Sequence, residues 1–341
     1  MPARGPRIHQ VYSSDAILGC GFLAIESALR AIEEAIADAT SGALVSHFNE
    51  NLKKHALLID LAVQTRAASI IKDQLHSHIE IRGEESSLTE LPRTAELAVL
   101  LDMVDGTDLL ERSFGNWCSA MVFFDVKHSK VLESLIGLPN REIYFSRRNL
   151  KKAFVREPST EANSDPSVRE VKLQPKKVLL RDATLCFYGQ KVRSLLNLVT
   201  NAKFKQRLLE IAAEADRLKE DSQKPKFRIY NLAGNPMMMS LIEGKVDAIV
   251  EISGQYCHDV VPGFVIALKA GAYLINLDDG CAIDVHVLGK MLVQPSCRFR
   301  YVLACNEELC RELSNLLSSP RTRVKPKVLV RKSSRRLSGK K

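Results

Sequence analysis

The 341-residue chain lacks several features that would assign it to a class directly. It has no run near about 18 uncharged apolar residues, so no transmembrane helix is predicted. Residues 1–14 have no apolar core of the kind that a secretory signal requires. The eight cysteines form neither a CxxC pair nor a zinc-binding spacing. We therefore expect reduced, mostly packed thiols in a cytoplasmic protein without membrane insertion.

Acidic residues are absent from the C-terminal segment 321–341, which contains ten Lys and Arg residues. Without those ten, 39 basic residues remain against 40 acidic ones, so the net charge of +9 belongs to this tail. Such a composition is typical of a solvated, flexible terminus. Weak contact of the tail with nucleic acid or another anionic surface stays open. A second alternative also stays open, that the chain is a nucleic-acid-binding protein that works through its tail.

The most informative segment is an apolar run, 97–101, that leads into two acids, Asp102 and Asp105. The run predicts a buried strand, and Gly106 and Thr107 follow the acids. Two carboxylates so close repel each other unless one is protonated or both bind a cation. Oxygen ligands at a rigid strand end suit magnesium. These residues alone leave two interpretations open: a metal site, or a turn whose acids accept backbone hydrogen bonds.

Apolar spacing along the chain predicts alternating helices and strands. The first part is read as helix 15–38, loop 43–55, helix 57–76 and strands 79–82, 97–101, 118–124, 130–138 and 142–146. The remainder is read as one or two helices in 192–219, a helix ending at 243–245, strand 246–252, an apolar helix opened by 257–263, strands 273–277 and 300–304, and helix 307–317. The predicted organisation is a flexible N-terminus (1–14), an α+β half with most candidate ligands (15–150), a polar surface loop (151–178), an α/β half (179–319) and a basic flexible tail (320–341).

Four segments in this order carry a family resemblance: GEE at 83–85, DMVDGT at 102–107, HDVVPG at 258–263 and KAGAYLINLDDG at 269–280. Together they resemble the inositol monophosphatase family, whose patterns are GEE, D-P-[IL]-D-G-T and W-D-x-x-[AG]-G followed by a strand and turn. This family belongs to a magnesium-dependent, lithium-sensitive superfamily with the fructose-1,6-bisphosphatases and the 3′(2′),5′-bisphosphate nucleotidases. The resemblance covers residues 14–317. It implies an α+β fold, a layered αβαβα sandwich of the sugar-phosphatase type, and a homodimer.

The resemblance implies a role for each matching residue. Two or three Mg2+ ions would be held by Glu84, Asp102, the Val104 carbonyl, Asp105 and Asp259. The catalytic group would be Asp60, Glu84 and Thr107, with Asp60 assigned by spacing alone. Phosphate and substrate hydroxyls would contact Gly106, Thr107, Asp108, Gly234 and Glu251.

The implied function is a magnesium-dependent phosphomonoesterase acting on a small phosphorylated metabolite, a sugar or inositol phosphate. Metal ions would neutralise the phosphate and activate a water. No convincing Ser-His-Asp or Cys-His set is present, so no covalent phosphoenzyme is expected. Two alternatives stay open: a phosphatase of 3′-phosphoadenosine-type nucleotides, and a catalytically weak binding or regulatory protein of the same fold.

Several residues depart from the family pattern. Met103 replaces a proline, and His258 replaces the tryptophan before Asp259. Pro262 is expected in the first turn of its helix, where proline is tolerated. Asp108 adds an acid beside the predicted phosphate site, which disfavours heavily anionic substrates unless Arg112 or a metal offsets it.

Overall fold

The fold was analysed in a computed structural model of the whole chain. The structure describes residues 13–38, 46–49, 54–75, 79–84, 95–112, 114–159, 164–174, 176–188, 192–232, 234–292 and 298–318. The basic tail 321–341 and most of the N-terminal segment 1–14 lie outside these residues, so the predictions for them stay predictions.

The predicted helices begin close to where the apolar spacing places them, whereas the helices at 107–111 and 285–291 were not predicted. Ser13 caps the first helix by accepting a hydrogen bond from the backbone N–H of Ala16. The helices are α1 (Ser14–Ala37), α2 (Leu58–Leu75), α3 (Thr107–Glu111), α4 (Val192–Val199), α5 (Ala202–Arg217), α6 (Asn235–Ile242), α7 (Cys257–Ala270), α8 (Val285–Met291) and α9 (Glu307–Leu317).

In the part of the chain that the structure describes, the strands form a seven-stranded sheet, a five-stranded sheet and one antiparallel pair. Their bounds are β1 (Ser46–Asn49), β2 (Lys54–Leu57), β3 (Ile79–Gly83), β4 (Leu97–Asp105), β5 (Cys118–Asp125), β6 (Lys130–Gly137), β7 (Ile143–Ser146), β8 (Ala153–Glu157), β9 (Ser167–Val171), β10 (Thr184–Phe187), β11 (Arg228–Tyr230), β12 (Ala248–Tyr256), β13 (Tyr273–Asn276) and β14 (Arg298–Ala304). Within the described ranges, the order is β3-β4-β5-β6-β7-β8-β9 in the large sheet and β11-β10-β12-β14-β13 in the small one.

The elements stack as alternating helical and sheet layers. Helices α1 and α2 pack on one face of the large sheet, and α7 packs on its other face and also contacts β12. Helix α9 packs against β13 and β14 of the small sheet. The predicted α+β layered sandwich is therefore confirmed.

Strand β4 shows why the apolar run is continuous. Its residues Leu97, Val99 and Leu101 belong to the core shared with α1 and α2. Ala98 and Leu100 belong to the core shared with α6 and α7. Because successive side chains of a strand point to opposite faces, a strand buried on both faces must be apolar at every position. The apolar run ends at Asp102, the first of the two acids that follow it.

Two stretches that we predicted as loops contain strands. In place of the loop at 43–55, β1 and β2 pair antiparallel with each other. In the polar segment 151–178, β8 and β9 extend the large sheet to its edge. An edge strand is held by backbone hydrogen bonds and can carry exposed charged side chains, so its sequence resembles a loop. Four of the five residues of β9 are exposed.

In the described ranges no helix is both long and apolar enough to cross a membrane. Seven of the cysteines lie in these ranges as free thiols, and six of them are buried. The mostly buried cysteines agree with the packed thiols expected from the sequence. Cys297 lies outside the described residues.

The helix α9 provides a stability test of the core. Leu309 is fully buried, whereas Leu209 on α5 is 56% exposed. We expect Leu309→Ala to lower the free energy of unfolding by about 2–5 kcal/mol because it leaves a cavity. Leu209→Ala, the same change at an exposed helical site, should alter it by no more than about 0.5 kcal/mol. Chemical denaturation of both variants measures the difference, and equal effects would contradict the packing described.

Candidate active site

A β-bulge at the end of β4 brings Asp102 and Asp105 to the same side of the strand. Residues three apart in a regular strand point to opposite faces, and one extra residue reverses this. The pairing of β4 with β5 shifts between these two acids. Ser119 on β5 holds the bulge, since its Oγ donates a hydrogen bond of 2.7 Å to the Met103 carbonyl.

Glu84 follows β3, the strand next to β4. The two strands are parallel, with Gly83 opposite Leu101. The Glu84 backbone N–H donates to the Leu101 carbonyl at 3.1 Å, which continues the register for one more residue. Glu84 therefore lies at the level of Asp102, at the edge where β4 ends.

Asp60 reaches the site from the first turn of α2. Its Oδ2 accepts hydrogen bonds from the Leu57 backbone N–H at 3.1 Å and from Thr107 Oγ1 at 3.3 Å. Thr107 Oγ1 is also 2.9 Å from the Val104 carbonyl oxygen. The structure thus brings together Thr107, assigned from the DMVDGT motif, and Asp60, assigned by spacing. Their catalytic role stays a prediction.

Asp259 comes from the C-terminal part of the chain, in the first turn of α7. Its Oδ2 accepts from the Tyr256 backbone N–H at 3.0 Å, and its Oδ1 lies 2.8 Å from His258 Nε2. One ligand atom each of Glu84, His258 and Asp259 lies within 4.8 Å of the other two. Acids at positions 84 and 259 therefore meet in space. His258 was not predicted as a ligand from the sequence.

Asn235, at the first position of α6, joins the two halves of the site and was missed from the sequence. Its backbone N–H and its Nδ2 donate to Asp105 Oδ2 at 2.9 and 3.0 Å. Nδ2 also donates to the Asp259 carbonyl at 2.9 Å, and Oδ1 accepts from the Gly263 N–H at 2.8 Å. The signal available in the sequence was an asparagine directly after a glycine at a predicted helix start.

Gly234 precedes Asn235 and must lack a side chain. Its φ is +86°, and a Cβ there would lie 3.1 Å from Asp105 Oδ2. The glycine therefore lets the start of α6 approach the Asp105 carboxylate closely. The predicted contact of Gly234 with substrate stays a prediction.

Pro262 lies inside α7, beyond its first turn, so the expected position is wrong. Proline has no N–H to donate to the carbonyl four residues earlier, which is that of His258. The Pro262 carbonyl accepts a hydrogen bond of 2.8 Å from Ser134 Oγ on β6. This contact fixes α7 against the large sheet.

The acids of the cluster destabilise one another's charged forms. Burial, followed by the carboxylates of Glu84, Asp105, Asp259 and Asp60, raises the pKa of Asp102 well above its usual range. Burial also raises the pKa of Asp105 to about 7, against the lowering effect of the hydrogen bond from the Asn235 backbone. Five carboxyl groups from four elements thus occupy one small region.

Other predicted substrate residues lie around this cluster. Gly106 has a φ of +98°, and a Cβ there would meet the Asn116 carbonyl at 2.8 Å. Asp108 is the second residue of α3, and Arg112 donates to the Asp108 backbone carbonyl at 3.1 Å. Glu251 on β12 is fully buried, and its Oε1 accepts from the N–H groups of Ser253 and Gly254. Burial raises the pKa of Glu251 to about 7.

Comparison with solved structures identifies the architecture. Inositol monophosphatase-II from Staphylococcus aureus MSSA476 is 17% identical with a TM-score of 0.59, covering 90% of this chain and 96% of that one. CysQ from Bacteroides thetaiotaomicron, a bacterial member of the inositol monophosphatase family, is 13% identical with a TM-score of 0.58, covering 87% and 99%. This chain has the inositol monophosphatase fold. No protein-family model and no curated protein sequence matches it.

The resemblance to the inositol monophosphatase family is thus confirmed at the level of the fold. An IMPase/NADP phosphatase of this fold, solved in complex with Mg2+ and phosphate, is 16% identical with a TM-score of 0.59, covering 89% of this chain and 94% of that one.

The residues present fit a divalent cation in an inositol monophosphatase fold. Carboxylate oxygens are the donors that Mg2+ prefers. Ligand atoms of Glu84 and Asp259 lie within 4.8 Å of each other, and the charges of both acids act on Asp102 and Asp105. The raised pKa of Asp102 shows how strongly the site disfavours uncompensated negative charge. A bound cation removes that cost.

A stability test follows from the raised pKa of Asp102. Without divalent cations, the raised pKa means that the unfolded chain loses this proton at a lower pH than the folded chain does, so the folded state loses stability as pH rises above about 4. Asp102→Asn removes this loss. We expect the variant to be more stable than wild type at pH 7.5 in EDTA, with the gain disappearing near pH 4.

Denaturation curves in EDTA and in Mg2+ measure this effect. Asp221→Asn, the same change at an exposed acid outside the cluster, serves as the control. Mg2+ should stabilise wild type and the control more than Asp102→Asn. A wild type whose stability in EDTA does not fall with pH relative to Asp102→Asn would contradict the crowding of these acids.

Proposed function

We propose that this chain is a phosphoric monoester hydrolase that requires Mg2+ and releases phosphate from a small sugar or inositol phosphate. The observation that carries the proposal is the convergence of Asp60, Glu84, Asp102, Asp105 and Asp259 from α2, β3, β4 and α7. Buried acids gathered at one sheet edge are costly for folding alone. A site that binds cations and an anionic substrate accounts for them.

Glu84, Asp102, the Val104 carbonyl, Asp105 and Asp259 would hold two or three ions. Bound Mg2+ supplies charge neutralisation of the phosphoryl oxygens and lowers the pKa of a coordinated water. The number of ions is part of the proposal. Asn235 keeps the Asp105 carboxylate and the start of α7 in a fixed relation, since it donates to both.

Thr107 and Asp60 would position the attacking water. The Thr107 hydroxyl has one proton and two lone pairs. When the proton points to Asp60 Oδ2, 3.3 Å away, the lone pairs can accept a hydrogen bond from water. Asp60 would then receive the proton that the water loses. This route needs no covalent phosphoenzyme, in line with the sequence analysis.

Substrate choice would be set around Gly106 and Asp108. The absence of a side chain at Gly106 lets the backbone approach a phosphate, and the Gly106 and Asp108 amides would bind it. Asp108 adds negative charge there, and Arg112 contacts its carbonyl. We therefore favour a monoester of a neutral sugar or inositol over a nucleotide carrying several phosphates. Glu251 and Gly234 would line the hydroxyl-binding side.

A nucleotide monoester is a second candidate substrate, because one structurally similar protein binds such a ligand. Structures of the Staphylococcus aureus enzyme have been determined with 2′-AMP and with inositol monophosphate bound. One protein of this fold therefore binds a ligand of each class.

The homodimer and the cytoplasmic location implied by the resemblance belong to the same proposal. The free, buried cysteines support a reducing compartment.

The direct test is release of inorganic phosphate from a panel: inositol 1-phosphate, fructose 1,6-bisphosphate, 2′-AMP and 3′-phosphoadenosine 5′-phosphate. We expect turnover with Mg2+, none in EDTA, and the highest kcat/KM for a sugar or inositol ester. Asp102→Asn should lower kcat/KM roughly 100-fold or more because a metal ligand is lost, and Asp221→Asn should match wild type. A folded, Mg2+-binding wild type that hydrolyses nothing would instead support a binding or regulatory protein.

Thr107→Val tests the water-positioning pair. The change keeps the side-chain shape and removes the hydroxyl, so kcat should fall by roughly 10²–10⁴-fold while KM stays similar. Thr200→Val on the exposed end of α4 is the matched control and should have no effect. A rise in KM with unchanged kcat would show that Thr107 binds substrate without orienting water.

A further inference from the structure

We propose that His258 supplies a nitrogen donor to the cation site, so that one ion position prefers a first-row transition metal such as Mn2+ over Mg2+. The inference rests on the proposed function for the existence of the site. It concerns a residue at which this chain departs from the family pattern, where tryptophan precedes the acid.

The geometry places His258 among the ligands. Its Nε2 lies 2.8 Å from Asp259 Oδ1, and a ligand atom of Glu84 completes a group in which all separations are within 4.8 Å. Two donors bound side by side to one ion at about 2.1 Å are about 3 Å apart. The spacing of the His258 and Asp259 atoms is therefore that of neighbouring ligands.

The imidazole is held in place by a stack of side chains. His258 is 2% exposed and stacks on the Tyr256 ring, with centroids 5.6 Å apart and planes 14° apart. The Arg298 guanidinium lies 4.1 Å from the Tyr256 centroid and donates to the Tyr256 hydroxyl at 2.7 Å. This stack restricts the orientation of the imidazole ring.

The donor chemistry decides the preference. Mg2+ takes oxygen ligands and keeps waters, whereas imidazole suits first-row transition ions. The tryptophan of the family pattern has only an N–H donor and cannot bind a cation through its nitrogen. Replacing it with histidine therefore changes the site from an all-oxygen set to a mixed nitrogen–oxygen set. A histidine that only donates a hydrogen bond to Asp259 would leave the metal preference unchanged.

The test uses the full-length protein and Mn2+ as the probe. Electron spin-echo envelope modulation of the Mn2+-loaded wild type should show coupling to a directly bound ¹⁴N nucleus. In His258→Phe, which keeps an aromatic ring in the stack, the coupling should disappear. By calorimetric titration, Mn2+ affinity should fall roughly 10–100-fold and Mg2+ affinity by less than about threefold. His286→Phe, at an exposed histidine of α8, should change neither.

The outcomes separate this inference from the proposed function. If wild type binds neither ion, the proposed function fails. If Mn2+ binds without ¹⁴N coupling, or if His258→Phe weakens both ions equally, His258 is not a ligand and the inference is overturned. The spectrum of the wild type needs no variant, so the inference stays testable if His258→Phe does not fold. His258→Gln then provides the second titration, with the same expected loss of Mn2+ preference.

Discussion

Mutual repulsion among buried carboxylates is the constraint on which the rest of this structure depends. Asp102 is 3% exposed and lies within reach of four other acids. Such a group is tolerated only when rigid surroundings hold it and a cation or a proton compensates the charge. The two sheets and the helices between them provide the rigid surroundings. Every element that reaches the site contributes either an acid or a hydrogen bond to one.

The hydrogen bonds to these acids come from both parts of the chain. Tyr256 and Leu57 donate backbone N–H groups to Asp259 and Asp60. Asn235 donates to Asp105 and to the carbonyl of Asp259, so one amide links β4 with α7. The acids are thus oriented before a ligand arrives, which is the arrangement that a preorganised site requires.

The fold and the acids were predictable from the sequence because their signals are local or ordered along the chain. The apolar run of β4, the helical spacing of α1 and α2, and the order of the acid motifs each leave a pattern in one short segment. The polar strand β9 carries no such pattern, since the bonds that hold it are made by the backbone. Asn235 leaves only the weak signal of an asparagine after a glycine at a helix start, because its partner Asp105 lies 130 residues away. His258 stands out in the sequence only as a departure from the family pattern, because its approach to Glu84 depends on the fold.

The bulge in β4 explains why the segment between the acids accepts a change of side chain but not of length. Met103 and Val104 are the residues that the bulge accommodates, and both are buried, at 2% and 3% exposed. A deletion there would restore a regular ladder and turn Asp105 to the opposite face of the sheet. A substitution such as methionine for proline leaves the residue count intact. Proteins that share this geometry should therefore differ by substitutions in this turn. Their sequences should align without gaps between the two acids.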